Sequence, residues 1–475
     1  MKKNIIRIGC FLVILAIVLG YCNSVLKLKD GDGIYDMALF YELDENSVDV
    51  LILGSSHAFE HFNTGTLWDE HGLASYILSG SRQPMWNTYY YLKESLKTQR
   101  PKLIVLEAYG TVFTDDYEDD VRIIKNNFGL RWSPDKVRSL LASVPAGKRS
   151  EFFLEYIQYH SRYKELTRGD FLEYQGNPLY QDWKGYGCNT ATVPWESKDI
   201  SGVTDRAELS GKTEEYYRAT IELAKKNDIP VLVVITPYPG IKAEEEMVYN
   251  KAGDIAQELG VPFLNCNLKV NDIGLDFSVD SADNEHLNYR GSQKFSSYIG
   301  KYITDNYALP DHRGEAEYDS WERHADFIRQ QIYDQEVAET TDAATLFEKI
   351  KNDRFLTAVS IDGTCNTSEP AISGYLNTLG ITEENAAGIW LYEGGNQVWY
   401  SGAGENSNYR QIGSHDHYLK RVINEDGSYT DSVTIDFEEY SKVEDGINVV
   451  VYDTLTEKVA DCFGLSTDEG YKLIR

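Results

Sequence analysis

Between residues 45 and 308, short apolar runs alternate with longer stretches in which apolar residues recur at helical spacing. The runs VDVLILG at Val48–Gly54 and LIVLE at Leu103–Glu107 are apolar almost throughout, which predicts strands buried on both faces. The same pattern predicts strands at Ala74–Leu78, Val231–Thr236 and Pro262–Asn265. The stretches between them, such as Lys212–Lys226, predict amphipathic helices. Such alternation is typical of an α/β domain whose parallel sheet is covered by helices on both faces.

Two segments depart from this alternation. Residues 111–210 are rich in Tyr, Phe and Trp, and we expect a helical insertion above the carboxyl edge of the sheet, where open α/β folds bind ligands. Plain helical packing explains the same composition. A polar stretch over 309–353 predicts a helical linker. From residue 354, short apolar runs separated by Asn and Gly turns predict a smaller β-rich domain that extends to residue 475.

The N-terminus has the pattern of a membrane-directed segment. Lys2, Lys3 and Arg7 precede the apolar run Ile8–Cys22, and positive charge on that side keeps an N-terminus in the cytoplasm. The run is short for a spanning helix and suits a signal peptide, but no small-residue cleavage site follows it. We expect residues 1–24 to be a single uncleaved anchor in the cell membrane, with the bulk of the chain extracytoplasmic. A cleaved signal and a lipidated cysteine are the alternatives.

Composition narrows the possible partners. The chain has 46 Lys and Arg against 75 Asp and Glu, a formal net charge of −29, which argues against nucleic-acid binding. Its 34 Tyr and 8 Trp suit a polar and partly apolar ligand such as a sugar. The cysteines are scattered without a C-x-x-C pair, so no zinc knuckle is expected. Cys365 and Cys462 lie in one segment and either pair or remain buried thiols.

Candidate catalytic residues occur at two distant places. Gly54-Ser55-Ser56-His57 follows the first predicted strand directly, which places a hydroxyl at the ligand-binding edge of the sheet. Asp283 precedes His286 by three residues, just before the last predicted helix of the α/β domain. This spacing places a carboxylate against one ring nitrogen while the other faces outward, as in a Ser-His-Asp triad. Asp280, in the same loop, is the alternative carboxylate.

These motifs resemble the SGNH/GDSL hydrolase superfamily over about residues 46–306. Gly54-Ser55-Ser56 matches its first block, and Asp283 with His286 matches its D-x-x-H block. The resemblance implies a flavodoxin-like three-layer α/β/α fold, Ser56 as nucleophile, Asp283 and His286 as its partners, and Gly80 as a donor to the oxyanion. The family's G-x-N-D block is absent, because Glu107-Ala108-Tyr109-Gly110 stands there.

Two further residues and one rival motif surround these blocks. Arg82 and Asn87 follow Gly80 closely and are candidates for binding substrate. His57-Ala58-Phe59-Glu60-His61 spells H-x-x-E-H, the pattern of an inverted zinc peptidase. Zinc needs both histidines on one helical face, and Asn63-Thr64-Gly65 leaves room for a short helix at most. We therefore expect no metal and no cofactor at this site.

A narrower similarity concerns partners. An N-terminal anchor followed by G-S-S-H and a distant D-x-x-H-L resembles extracytoplasmic proteins of lipoteichoic-acid D-alanylation and polysaccharide O-acetylation. It implies a multi-pass membrane-bound O-acyltransferase as a partner. The runs Asp445–Asp453 and Val459–Phe463 resemble the interleukin-like EMT-inducer domain, which implies contact with carbohydrate. Aromatic residues of that segment are candidates for stacking on sugars: Trp390, Tyr392, Trp399 and Tyr400.

Together these features predict a serine esterase or O-acyltransferase. Its substrate would be the acyl esters of a cell-envelope polysaccharide, a polyol polymer or a teichoic-acid-like polymer. The alternative from a different class is a non-catalytic adaptor of a membrane-bound O-acyltransferase, which the missing G-x-N-D block favours. A zinc-dependent hydrolase that uses His57, Glu60 and His61 is the third hypothesis.

Overall fold

A computed structural model describes residues 2–27, 32–153, 155–166, 168–171, 182–361, 365–382, 387–402 and 404–475. The chain forms two compact units, Met1–Asp326 and Phe327–Arg475. The division falls inside a helix, Asp319–Glu339, in the segment for which the sequence predicts a linker.

The described part of the first unit contains a parallel sheet of five strands. They are β1 (Val50–Gly54), β2 (Ser75–Ser79), β3 (Leu103–Glu107), β4 (Val231–Ile235) and β5 (Phe263–Asn265). The strand order is β2-β1-β3-β4-β5, and every neighbouring pair is parallel. All residues of β1 to β4 are buried, which explains why their sequences are apolar throughout. The predicted α/β unit with a parallel sheet is confirmed.

Helices connect and cover the strands. The described helices of this unit are α1 (Lys2–Leu26), α2 (Ile34–Phe40), α3 (Ser56–His61), α4 (Thr64–His71), α5 (Met85–Ser95), α6 (Asp120–Asn127), α7 (Pro134–Ser143), α8 (Arg149–Phe153), α9 (Glu155–Tyr159), α10 (Arg168–Phe171), α11 (Gly211–Lys226), α12 (Ala243–Glu258), α13 (Val270–Ile273), α14 (Phe277–Asp280), α15 (Tyr289–Asn306) and the start of α16 (Asp319–Glu339). Apolar residues of α5, α11 and α12 share one core cluster with the strands. Helices α4 and α15 pack against each other.

The strand order reverses between β1 and β3. From β1 the chain proceeds to β2 on one side, and β3, β4 and β5 follow on the other. In open parallel sheets the crevice at the carboxyl ends of two such strands is where ligands bind, because the loops that leave them diverge. Ser56 follows β1 and Tyr109 follows β3, so the fold brings the two residues to this crevice.

The predicted insertion, residues 111–210, joins β3 to α11. Its described part contains α6 to α10 and a stretch over 182–210 that is neither helix nor strand, while residues 154, 167 and 172–181 lie outside the described residues. Helix α7 packs on α5. A buried ion pair between Lys136 and Glu155, with 2.6 Å between Nζ and Oε1, holds α7 against α9.

Helix α1 is long and apolar enough to cross a membrane or to act as a signal sequence. Its side chains are exposed from Lys3 to Tyr21, whereas Val25 and Leu26 in the last turn are buried.

The second unit is β-rich, as predicted. Its described elements are α17 (Ala343–Lys349), β6 (Phe355–Ile361), α18 (Pro370–Thr378), β7 (Gly388–Glu393), β8 (Asn396–Ser401), β9 (Asn406–Ile412), β10 (His415–Ile423), β11 (Tyr429–Ile435), β12 (Glu438–Glu439), β13 (Gly446–Asp453), β14 (Lys458–Ser466) and β15 (Lys472–Ile474). They form two antiparallel sheets, ordered β15-β14-β13-β6-β7-β8 and β12-β11-β10-β9.

Cys365 and Cys462 are both buried free thiols, which is the second of the two alternatives for this pair. Cys365 contacts the Tyr471 hydroxyl, and Cys462 Sγ donates a hydrogen bond to the Tyr440 carbonyl. One expectation for this unit is wrong. Two of the proposed sugar-stacking residues are core residues, since Trp390 and Tyr392 have 0% and 1% of their surface exposed. An aromatic ring buried to that extent has no free face for a sugar.

Candidate active site

Ser56 lies at the sharp turn that joins β1 to α3. β1 ends at Gly54, and the Ser55 side chain accepts a hydrogen bond from the His57 amide, so that Ser56 is the first residue of the helix. A Cβ atom at Gly54 would lie 2.6 Å from Cβ and from Oε2 of Glu107. No side chain tolerates such an approach, so this turn requires glycine.

The structure brings Ser56, His286 and Asp283 together. His286 Nε2 lies 2.8 Å from Ser56 Oγ, and its Nδ1 lies 3.0 and 3.1 Å from the two carboxylate oxygens of Asp283. All three distances are those of hydrogen bonds. A serine that is hydrogen-bonded to a histidine, which a carboxylate in turn orients, is the arrangement of a Ser-His-Asp triad.

The loop that carries His286 is held by its own contacts. The Ala282 amide donates to the His286 carbonyl at 2.9 Å, and the Asn288 side chain caps α15 by accepting from two amides of its first turn. Asp280, the alternative carboxylate, accepts from Lys294 Nζ at 2.6 Å instead. Of the two candidate carboxylates, Asp283 is therefore the one that orients the imidazole.

Electrostatics prepare His286 to act as a base. Burial alone lowers the pKa of His286, but the hydrogen bond to Asp283 and the charges of Glu60, Asp283 and Glu285 outweigh it and raise the pKa above 6.5. Burial raises the pKa of Asp283, yet hydrogen bonds from His286 and two amides outweigh it and lower the pKa to about 2. At neutral pH an ionised Asp283 keeps the proton on Nδ1, which leaves Nε2 to accept the proton of Ser56.

Glu107 supports the nucleophile turn from β3. Its carboxylate accepts from the amide and the hydroxyl of Ser55, both at 3.1 Å, and from the Tyr109 amide at 2.5 Å. Burial raises the pKa of Glu107 to about 7, against the lowering effect of these hydrogen bonds. This residue stands where the resemblance leads one to expect the G-x-N-D block. From the sequence alone Glu107 has no predicted role, although a carboxylate at the end of an apolar strand, at the edge where ligands bind, is a signal that could have identified it.

Gly80 lies at the same edge, one residue beyond β2. Gly54 and Ser79 are register partners in the β1–β2 ladder, so Gly80 comes level with the start of the nucleophile turn on the neighbouring strand. A Cβ atom at Gly80 would lie 2.4 Å from Oδ1 of Asn126 in α6. Packing of the insertion therefore demands glycine at this position, whether or not its amide serves an oxyanion.

Arg82 lines a cavity of about 270 Å³ beside the triad. Its guanidinium pairs with Glu118 and lies 4.8 Å from the centre of the Phe113 ring. The cavity is lined by Arg82, Pro84, Tyr109, Val112, Phe113, Thr114, Asp116, Tyr117, Glu118, Arg122, Lys242, Glu245 and Glu285. The triad does not line it. It adjoins the triad through Tyr109, whose ring stacks on His57 at 3.7 Å, and through Glu285, the neighbour of His286.

Asn87 contacts the insertion. Its Nδ2 donates to the Asn126 carbonyl, to Asn127 Oδ1 and to Ser139 Oγ at 3.0–3.1 Å, and its Oδ1 accepts from Tyr117 at 2.7 Å. The side chain is fully buried. Among the described residues no hydrogen bond links Asn87 to the triad, so its contacts are those of a residue that attaches the insertion to α5.

The three residues of the H-x-x-E-H motif point to different partners. His57 Nδ1 lies 3.1 Å from Thr236 Oγ1, and His61 Nε2 accepts from the Leu287 amide at 3.1 Å. Glu60 accepts from Asn189 at 2.8 Å. No group of three or more His, Cys, Asp or Glu side chains is arranged to hold a metal in the part of the chain that the structure describes. The two histidines instead pack around the catalytic loop.

Glu60 lies beside the triad. Its Oε1 lies 4.0 Å from His286 Nε2, on the side of the ring that faces Ser56. Burial raises the pKa of Glu60, and the nearby His286 lowers it in part. In the sequence, Glu60 is a candidate only as part of the H-x-x-E-H zinc motif. Its position one turn after Ser56 on α3 is the signal that places it beside the nucleophile.

Comparisons with known proteins assign no family to this chain. No model of a known protein family matches it, and no curated protein matches it significantly. The motifs and the geometry described above are therefore the basis on which its function is inferred.

Proposed function

We propose that the protein is a serine esterase or O-acyltransferase. The single observation that carries the proposal is the hydrogen-bonded series from Ser56 Oγ through His286 to Asp283, assembled from residues 230 positions apart. A hydrogen-bonded serine, histidine and carboxylate is the arrangement that acyl transfer through a serine requires.

The proposed mechanism gives each residue of the triad a role. Ser56 Oγ attacks an acyl carbonyl while His286 Nε2 takes the hydroxyl proton, and Asp283 stabilises the imidazolium that forms. The amides of Ser56 and Gly80 are the proposed donors to the oxyanion. His286 then returns the proton to the leaving alcohol. The acyl-enzyme passes its acyl group to water or to a second hydroxyl, and both outcomes share this first half.

The fold supports the same proposal. The strand order 2-1-3-4-5 is that of flavodoxin-like doubly wound sheets, which is the order implied by the SGNH/GDSL resemblance. Ser56 and Tyr109 lie at the reversal point, where such sheets bind ligands. We therefore propose an SGNH-type three-layer domain in which Glu107 takes the structural place of the missing G-x-N-D block.

The proposed substrate is the acyl ester of a cell-envelope glycan or polyol polymer. Its support is the N-terminal helix, which suits an anchor, and the cavity beside the triad, whose lining mixes aromatic rings with charged groups. Such a mixture suits the apolar faces and the hydroxyls of a sugar. We propose a multi-pass O-acyltransferase as the partner that supplies or receives the acyl group.

A fluorophosphonate probe tests this proposal against the adaptor hypothesis. We expect covalent labelling of Ser56 in the full chain, mapped by mass spectrometry, because the probe reacts with a serine activated by its base. The matched control is Ser56→Ala, which keeps the turn and removes the hydroxyl. A folded protein that the probe does not label would favour the adaptor.

The pH dependence of kcat/KM is expected to report the raised pKa of His286. Since only the neutral imidazole accepts a proton, activity should be lost as the pH falls, with a midpoint above 6.5. In Asp283→Asn the largest contribution that raises the pKa of His286 is gone while burial still lowers it, so the midpoint should move to lower pH while the rate falls by up to about 10⁴-fold. An unchanged midpoint in that variant would contradict the assignment of Asp283.

Metal removal separates the triad from the zinc hypothesis. Hydrolysis of a small ester should survive EDTA. Glu60→Gln should keep most of the activity and shift the acid limb to lower pH, because a negative charge 4.0 Å from His286 is removed. Stoichiometric zinc in the purified protein, together with loss of activity in Glu60→Gln, would instead establish the H-x-x-E-H motif as the catalytic centre.

A further inference from the structure

The last turn of α1 is built into the fold of the first unit. Val25 and Leu26 are 7% and 8% exposed, and Leu26 packs in a cluster with Phe128, Phe152 and Tyr159 of the insertion. A helix that only tethered the unit would leave this turn in solvent.

Arg162 fixes the end of α1 in place. Its Nη1 donates to the carbonyls of Leu26 and Lys27 at 2.7 and 2.8 Å, where a helix leaves its last carbonyls without internal partners. Its Nη2 pairs with Asp170 of α10 at 2.9 Å. One side chain thus links the end of the apolar helix to two elements of the insertion.

Among the described elements, α9, the 3₁₀ turn His160–Lys164 and α10 contact α1. The apolar run ends at Cys22, four residues before Leu26, which corresponds to about 6 Å along a helix. The headgroup region on one side of a bilayer is about 5–8 Å thick. If α1 spans a membrane, these three elements therefore lie at the depth of the lipid headgroups.

Each of the three elements exposes one large apolar or aromatic side chain. Ile157 is 39% exposed, Tyr163 63% and Phe171 58%. Single exposed apolar residues need no explanation, but all three of these lie on elements that contact α1. Lys164 Nζ lies 5.6 Å from the centre of the Tyr163 ring. Aromatic rings beside lysine are the usual composition of a membrane interface.

We propose that this face, Ile157, Tyr163 and Phe171, is seated in the interfacial layer of the bilayer that α1 crosses. The occupant is a lipid surface, chosen because the face continues directly from the end of the apolar helix. The inference rests on the proposed anchoring by α1 and not on the catalytic proposal. The seated face and the docked helix end would hold the first unit in one orientation on the membrane.

Photo-crosslinking in nanodiscs tests the inference. The full chain is reconstituted in phosphatidylcholine with p-benzoylphenylalanine in place of Tyr163 or Phe171. Phe11 in α1 serves as the positive control and Val279, exposed outside the insertion, as the negative control. We expect lipid adducts at Tyr163 and Phe171, detected by mass spectrometry, at several times the yield at Val279. If the fluorophosphonate probe labels the unsubstituted chain, labelling of each variant to the same extent reports that its fold is intact.

Every other outcome overturns the inference in a recognisable way. Adducts at Phe11 without adducts at Tyr163 and Phe171 would leave the anchor intact and remove the seated face. No adduct at Phe11 would remove the anchor as well, whereas ester hydrolysis, measured separately, would still decide the catalytic proposal. Adducts to a multi-pass protein in native membranes, with none to lipid in nanodiscs, would identify the face as a protein interface.

Discussion

Replacing Ser56 by alanine is expected to lower hydrolysis of p-nitrophenyl acetate by roughly 10³–10⁶-fold, because the nucleophile is lost and only binding and oxyanion effects remain. The measurement is kcat/KM of the full chain in detergent. The Ser56 hydroxyl does not hold the turn, because its hydrogen bond is to His286 Nε2 at 2.8 Å. The fold should therefore survive the substitution.

Ser55→Ala is the matched control. The two serines are neighbours, but the Ser55 hydroxyl bonds Glu107 at 3.1 Å and caps α3. Its removal costs these two supporting hydrogen bonds but no reacting atom, so the rate should fall by less than about tenfold. Equal rates in Ser56→Ala and the unsubstituted protein would refute the triad. A larger loss in Ser55→Ala than in Ser56→Ala would place the nucleophile one residue earlier.

Glu155→Ala is expected to cause a large loss of stability in the first unit, because it breaks a buried ion pair. Lys136 and Glu155 are 2% and 8% exposed, with 2.6 Å between their charged atoms. Removing the carboxylate leaves a buried ammonium whose remaining partners are backbone carbonyls, such as that of Leu130 at 2.8 Å. Breaking such a pair costs about 3–5 kcal/mol, which corresponds to a fall of roughly 4–7 °C in the Tm of the first unit. Thermal unfolding of the full chain in detergent measures it.

The pH dependence and a double variant identify the cause. Burial already lowers the pKa of Lys136, and loss of Glu155 should lower it further. The folded state then binds fewer protons than the unfolded state, so the deficit in Tm should shrink as the pH rises. Lys136→Met combined with Glu155→Leu should recover most of the loss. As a surface control, Asp120→Ala breaks the exposed pair with Lys148 and should leave the Tm almost unchanged.

The strands of the α/β unit could be predicted because burial on both faces leaves a local signature. β1 consists of apolar residues up to Gly54, and β3 consists of apolar residues up to Glu107. Strands β9 and β10 of the second unit leave no such signature, because β9 has only exposed and half-buried residues and β10 alternates buried residues with more exposed ones. A half-exposed strand has no continuous apolar run, and its partners are known only once the sheet has formed.

The candidate site residues also differ in whether a local sequence signal identifies them. A D-x-x-H spacing is local, and so Asp283 and His286 could be predicted together. Asn87 was chosen for its proximity in sequence to Gly80, but its buried amide bonds the insertion, which begins more than twenty residues later. Glu107 was overlooked because its three donors come from two different strand ends.

By itself the sequence determined the parallel α/β pattern, the apolar N-terminal segment, the β-rich second unit and the candidate residues Ser56, Asp283 and His286. These follow from periodicity, composition and spacing within a few residues. Only the tertiary structure decided that Ser56 Oγ lies within hydrogen-bonding distance of His286, that Glu60 lies beside the pair and that the end of α1 docks on the insertion. Each of these joins residues distant in sequence, and such contacts depend on how the whole sheet and its helices pack.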